Sequence, residues 1–399
     1  MSRTPSFLLF FAVAFAVLGG MHYYLWARLV RDTGLPGRRV LLALFALAAV
    51  AVPLAVLVSR RLSFRVTRGW FAALFTWLGA AFLLCAALLA TDLARLLWAG
   101  LRTWLASGPD LAPADPGRRA FVARTLAGGA VLAAGAATAA AIESAVGEPH
   151  VVEVPVRLAR LPKALSGFTL AQLSDLHVGP TIREKHVKRV VDMTNALRPD
   201  AVVITGDLVD GTVRQLRAAT EHLARLSAPH GVYFVTGNHD YYSGARPWLA
   251  ELRRYGVKTL GNERVELGDR GPGGASFDLA GVNDWSVARG FDGSWPALEE
   301  ALEARDPERS LVLLAHQPRG VAEAAAAGVE LQLSGHTHGG QIFPWNLLVA
   351  AVYPFYKGLY RLERGGHAAQ VYVSCGTGYW GPPMRLGAPA EVTKVILTA

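Results

Sequence analysis

The chain has 399 residues, a net charge of +9, 52% hydrophobic residues and a mean hydropathy of +0.28. Residues 1–150 hold 14 Lys/Arg against 6 Asp/Glu, and residues 151–399 hold 26 against 25, so the basic excess flanks apolar segments and does not coat a domain face. That distribution argues against a nucleic-acid binder, and two distant cysteines, Cys85 and Cys375, exclude a disulfide framework or a CxxC zinc site.

A bilayer core takes about 20 consecutive apolar residues per helix. Three runs meet this requirement: Phe7–Trp26, Val40–Val58 and Trp70–Ala90, each bounded by arginines. Thr125–Ile142 is uncharged but mostly Ala and Gly, so it is a weaker fourth candidate. Ahead of it stands Arg118-Arg119-Ala120-Phe121, which reads either as a twin-arginine export signal or as positive flanking of a fourth helix. With four spans, nine loop arginines fall on one side and five on the other. The positive-inside rule then puts everything after Ile142 outside the cytoplasm. The expected organisation is a transmembrane region over residues 1–147 and a second domain over residues 148–399. The expected location is a multi-pass protein of a bacterial cytoplasmic membrane.

From Val151 the texture changes. Phe168–Leu173, Ala201–Thr205, Val232–Thr236 and Leu311–Ala315 are short apolar, β-branched runs that predict buried strands. Ile182–Leu197 and Val213–Leu226 between them have helix length. Later strands over Gln370–Cys375 and Val392–Leu397 lack intervening helices, which favours a layered α/β sandwich over a uniformly wound sheet.

Each strand end releases polar residues of one chemical type. They are Ser174-Asp175-Leu176-His177, Gly206-Asp207, Gly237-Asn238-His239-Asp240, His316-Gln317-Pro318 and Ser334-Gly335-His336-Thr337-His338-Gly339-Gly340. Ligands gather at the carboxyl ends of strands in such sheets, and five of the eleven histidines lie in these segments. Hard divalent cations take carboxylate oxygens and borderline ones accept imidazole nitrogen, so the pattern predicts a two-metal site. Two ions about 3.5–4 Å apart clamp the oxygens of a phosphoryl displacement and acidify a bridging water. A GxGxxG match at Gly376–Gly381 is a decoy, because Pro382-Pro383 prevents the helix a dinucleotide site needs.

The set DxH…GD…GNHD…HxP…GHTHGGQ, in order across Asp175–Gln341, resembles the calcineurin-like metallophosphoesterase superfamily. Gly281–Asp284, Gln341–Tyr360 and Gly376–Glu391 with Arg385 resemble its membrane-attached branch. The resemblance implies a four-layer α/β/β/α sandwich, which the apolar runs place behind an all-α region of three or four transmembrane helices. It also implies that Asp175, His177 and His338 hold one divalent ion (Mn, Fe, Zn, Mg or Co), that Asn238, His316 and His336 hold the other, and that Asp207 bridges both. His239 would hand a proton to the leaving oxygen, with Asp240 orienting its ring. Asp210, His186, His222, His230 and His367 lie off the blocks and read as solvated or structural groups.

The expected function is hydrolysis of a phosphodiester, pyrophosphate or phosphomonoester. The aromatic, proline-broken segment Ile342–Lys357, beside the expected metals, is too greasy for an ordinary exposed loop. It suggests entry of a lipid-linked substrate at the membrane interface, with Trp345, Tyr353 and Tyr356 at headgroup depth. The alternatives are a pyrophosphatase of the UDP-2,3-diacylglucosamine type in lipid A synthesis, whose cytoplasmic substrate conflicts with the outside topology, or a sensor or transporter that only binds a phosphorylated ligand.

Overall fold

The computed structural model describes residues 4–59, 64–105, 115–269, 274–285, 295–364 and 367–399. Arg3, Arg60 and Arg61 of the charge count, and most of Ser107–Gly117, lie outside the described residues. The chain forms two compact units, Met1–Glu143 with Gly381–Met384, and Ser144–Trp380 with Arg385–Ala399.

In the first unit, α1 (Thr4–Trp26) runs on through a π-helical turn, Ala27–Arg31, and is followed by α2 (Arg38–Ser59), α3 (Phe64–Leu105) and α4 (Pro116–Val146). Four stretches here are long and apolar enough to cross a membrane. Leu25, Ala81, Leu88 and Ala130 form a small common core, while Leu9, Leu47 and Leu96 face outward. Such a surface belongs in lipid rather than water. Several polar groups inside the unit pair with one another: Arg28 bridges Asp32 (2.9 Å) and Asp92 (2.7 Å), and Trp77 Nε1 donates to His22 Nε2 (3.0 Å). At 42 residues, α3 outruns the Trp70–Ala90 expectation by 15 residues at its carboxyl end. Helix propensity explains this, since Thr91–Leu105 contains neither Pro nor a breaker pair, and hydropathy marks where a helix leaves lipid, not where it stops.

The second unit holds two six-stranded sheets. The strands are β1 (His150–Arg157), β2 (Thr169–Leu173), β3 (Ala201–Thr205), β4 (Val232–Val235), β5 (Lys258–Thr259), β6 (Glu263–Gly268), β7 (Ser276–Gly281), β8 (Leu311–Leu314), β9 (Leu331–Ser334), β10 (Gly358–Arg364), β11 (His367–Val373) and β12 (Glu391–Thr398). One sheet has the order β1-β12-β2-β3-β4-β5 and the other β10-β11-β9-β8-β7-β6. In the first, β2 to β5 run parallel, and β12 closes back antiparallel on β2. In the second, β7, β8, β9 and β11 run parallel between antiparallel edges.

The sheets face each other across a core of Leu170, Val203, Tyr233, Phe277, Leu279, Val312, Leu314, Leu333 and Val395. Side chains alternate along a strand, so Val202 and Ile204 turn to the opposite face of the first sheet. The helices α5 (Glu184–Ala196), α6 (Val213–Thr220), α7 (Asn238–Ser243) and α8 (Ala245–Arg254) follow its strands, and α5, α6 and α8 bury Val187, Val190, Leu216, Trp248 and Leu252. Outside the second sheet, α9 (Leu298–Ala301) and α10 (Val321–Ala326) pack Ala301 and Ala324 onto Leu311 and Leu313. The result is a four-layer α/β/β/α sandwich. One further helix, α11 (Trp345–Val352), lies between Pro344 and Pro354 and buries none of its residues.

Candidate metal centre

The parallel strands β2, β3 and β4 of one sheet, and β8 and β9 of the other, end beside the same crevice, and their next residues fill it. Asp175, His177, Asp207, His336 and His338 all have φ between 47° and 73°. The left-handed region costs a residue with a Cβ about 1–2 kcal/mol. Five such residues within the five segments are a local backbone distortion of the kind that aims side chains at a functional point. Two glycines make room for it. A Cβ at Gly237 would collide with Asp207, and one at Gly335 would collide with Ser174 Oγ and the Asp175 carboxylate.

The side chains converge in two clusters. In one, Nε2 of His177 and Nε2 of His338 are 3.1 Å apart, and Asp175 Oδ1 is 3.4 Å from the latter. In the other, Nε2 of His316 lies 3.3 Å from Asp207 Oδ2 and 3.2 Å from Asn238 Oδ1, with His336 completing the group. Asp207 stands between them, since Oδ2 is also 3.7 Å from His177 Nε2.

The surroundings fix these groups. Asp175 accepts hydrogen bonds from Ser174 Oγ (2.6 Å) and the His336 amide (3.1 Å). His316 donates from Nδ1 to the Thr205 carbonyl (2.8 Å), and His177 donates from Nδ1 to Asp210 Oδ2 (3.0 Å). Each ring therefore points its Nε2 into the cluster, the atom a cation would take. His338 differs: its Nδ1 faces a donor, Arg385 Nη2, at 3.3 Å. Arg385 is fully buried and also donates to the carbonyls of Gly378, Ala388 and Cys375.

Charge follows from this crowding. Burial works against the Asp207 carboxylate, but the imidazoles of His316 and His239 hold it well below the usual range. Burial also works against a His316 imidazolium, yet Asp207 raises its pKa well above normal. Burial and the neighbouring His316 push His336 down to about 3, and burial with His177 lowers His338. Carboxylates and imidazoles converging on common points make a mixed oxygen and nitrogen donor set that fits divalent cations.

His239 lies at the edge of the first cluster, with its ring edge-on to His177 at 4.8 Å. Here the structure corrects the expectation for Asp240. The Asp240 carboxylate accepts from the backbone amides of Asp207, Leu208 and Gly237, tying the ends of β3 and β4 together. The partner of His239 is Asp210, whose Oδ1 accepts from Nδ1 at 2.6 Å. Burial opposes the His239 imidazolium, but Asp210 and Asp207 outweigh it and hold its pKa at about 9. Burial opposes the Asp210 carboxylate, but the imidazoles of His177 and His239 hold it far below the usual range. Asp210 is therefore not a solvated bystander. Its position three residues after Asp207 on one loop was the available signal.

Two further rings meet the site, Tyr242, which the sequence did not signal, and Trp380 of the Gly376–Gly381 turn. Tyr242 and Trp380 approach the His239 ring at 5.3 and 5.5 Å. Phe355, at the end of the greasy segment, packs into the domain beside Val321 and Val371 instead of facing out.

A sandwich with His and Asp donors gathered at its strand ends is the architecture of a metal-dependent hydrolase. A model of the calcineurin-like phosphoesterase family matches residues 168–340. The chain is 38% identical over 262 residues to the transmembrane protein with metallophosphoesterase domain of Danio rerio, covering 62% of this chain and 57% of that protein. It is 43% identical over 255 residues to the protein of that name in Bos taurus, covering 62% and 56%. It is 34% identical over 250 residues to an uncharacterized metallophosphoesterase of Aquifex aeolicus, covering 62% and 91%. The chain belongs to the calcineurin-like metallophosphoesterase family. It spans a little over half the length of the first two relatives. The family works with a dinuclear metal centre, and this chain has the His and Asp groups to bind metals, without fixing which ones.

Proposed function

We propose that this chain is a membrane-anchored, metal-dependent phosphoesterase that cleaves a phosphodiester, pyrophosphate or phosphomonoester of a lipid-linked substrate. The observation that carries the reading is the position of Asp207, within 3.3 Å of His316 in one donor cluster and 3.7 Å of His177 in the other. Asp175, His177 and His338 would hold one divalent ion, Asn238, His316 and His336 the second, and Asp207 both. Bound there, the ions would supply the Lewis acidity that activates an attacking water and takes up charge on the phosphoryl oxygens. His239, held through Nδ1 by Asp210, keeps Nε2 free to protonate the departing oxygen. Burial of Asp175 and His316 keeps bulk water from competing for these groups.

Two features support a lipid-linked substrate. The exposed apolar helix α11 begins seven residues after His338, with Leu347 60% and Leu348 57% exposed. The same chain also carries four apolar helices of membrane-crossing length. With four spans, the arginine count favours an extracytoplasmic catalytic domain in a bacterial cytoplasmic membrane.

The test is hydrolysis of bis-p-nitrophenyl phosphate by the full chain in detergent micelles with added Mn. Turnover that falls by about 10²–10⁴ in His239→Gln supports the reading. Metal bound without turnover would favour a domain that only binds phosphorylated ligands.

A further inference from the structure

The crevice has two different ends. At the His239 end stand two exposed aromatic rings, Tyr242 (49% exposed) and Trp380 (53% exposed), each roughly perpendicular to the imidazole. Trp380 is held there by design of the sequence. Gln341, directly after the His-rich block, donates from Nε2 to the Trp380 carbonyl (2.9 Å) and accepts from its amide through Oε1 (3.0 Å). At the His336 end stands Tyr353, 6.0 Å from the His336 ring, at the residue that closes α11.

We propose that this polarity decides which ester bond breaks: the phosphate stays on the apolar part of the substrate, at the Tyr353 and α11 end, and the group released is the one lodged between Tyr242 and Trp380. The inference rests on the reading above, in which His239 gives its proton to the departing oxygen. Nδ1 of His239 is committed to Asp210, so the proton leaves from Nε2, and the departing oxygen must lie at that end of the crevice. Water's oxygen bonds to phosphorus, and the P–O bond to the group at the aromatic end breaks. The departing oxygen takes the His239 proton, and the water's proton restores it. The products are a free alcohol and a phosphomonoester still attached to the apolar chain. Two exposed rings against the proton donor suit a leaving group with a flat or compact apolar face.

The probe is an unsymmetrical diester, decyl 2-(2-naphthyl)ethyl phosphate, whose two alcohols have similar acidity, so intrinsic reactivity favours neither bond. The full chain in detergent micelles with Mn is expected to release naphthylethanol and decyl phosphate over the opposite pair by about tenfold. The double variant Tyr242→Ala with Trp380→Ala should bring the ratio near unity with bound metal unchanged, and Trp380→Phe should keep the preference. An even ratio, or an excess of decanol and naphthylethyl phosphate, in the unsubstituted protein overturns the inference alone. Failure to hydrolyse either this diester or bis-p-nitrophenyl phosphate overturns the phosphoesterase reading and the inference with it.

Discussion

Asp210 joins His177 and His239 through its two carboxylate oxygens, accepting from one Nδ1 at 3.0 Å and the other at 2.6 Å. One side chain thus orients a candidate metal ligand and the candidate proton donor. In Asp210→Asn a single amide cannot accept from both rings, because one of its two positions is a donor. Turnover of bis-p-nitrophenyl phosphate should fall by about 10²–10³ and metal affinity by about 10–100-fold. Kinetics at saturating Mn, with metal counted by mass spectrometry, separates the two losses. Full recovery of turnover at high Mn would leave Asp210 with the ligand role alone.

Metal binding should be visible in stability without any assay of catalysis. Cations that bind the folded chain at a hundred times their Kd add about 2.7 kcal/mol. For a unit of this size that corresponds to roughly 5–10 °C in Tm. Chelation of the full chain should lower Tm by this amount, and Mn should restore it. In Asp207→Ala the shift should largely vanish, since that carboxylate stands between both clusters.

Gly237 and Gly335 are sensitive for steric reasons alone. In Gly237→Ala the new methyl would displace Asp207, and in Gly335→Ala it would displace Ser174 and Asp175. Each should cost about 1–3 kcal/mol of stability and lower bound metal. Gly167→Ala is the comparison, because no heavy atom lies within 4 Å of a Cβ there and only its positive φ opposes the change.

Helix α11 offers a separation of effects. Trp345→Ser, Leu347→Ser and Leu348→Ser together should sharply reduce hydrolysis of phosphodiester lipids in vesicles while sparing bis-p-nitrophenyl phosphate. Equal losses on both would remove α11 from substrate binding. Phe355 is left alone in this design because it packs into the domain.

Sidedness can be read directly. A reporter that is active only outside the cytoplasm, fused after Ala145, should be active. Activity confined to a cytoplasm-specific reporter would put the catalytic domain inside.

The strands that carry the site were readable in the sequence because β2, β3, β4, β8 and β9 are buried on both faces. Such strands appear as mainly apolar runs, broken by Thr169 and Gln172 in β2 and by Gln332 in β9, and each is followed by a polar turn. The edges were harder. β1 contains Pro155, and β10 mixes charged and apolar residues, so neither gives a clean period of two. The helix at Trp345–Val352 was masked by the prolines on both sides, which read as breaks although Pro344 only precedes its first turn. The partner of Asp210 was hard to read for a different reason, although its place three residues after Asp207 pointed to the site. The contact is with His239, 29 residues away, and no local pattern encodes which of two nearby aspartates meets that ring. Asp240 was the neighbour in sequence, but its position at the third residue of α7 aims its carboxylate back at backbone amides.

The left-handed backbone at Asp175, His177, Asp207, His336 and His338 sets stability against catalysis. Glycine at any of these five places would relax the main chain while deleting a donor atom, whereas alanine would delete the donor and keep the strain. Glycine variants should therefore melt higher than their alanine counterparts though both are inactive. A lineage released from the need to hold metal would find a thermodynamically downhill route to a sturdier, inert domain by exchanging these residues for glycine.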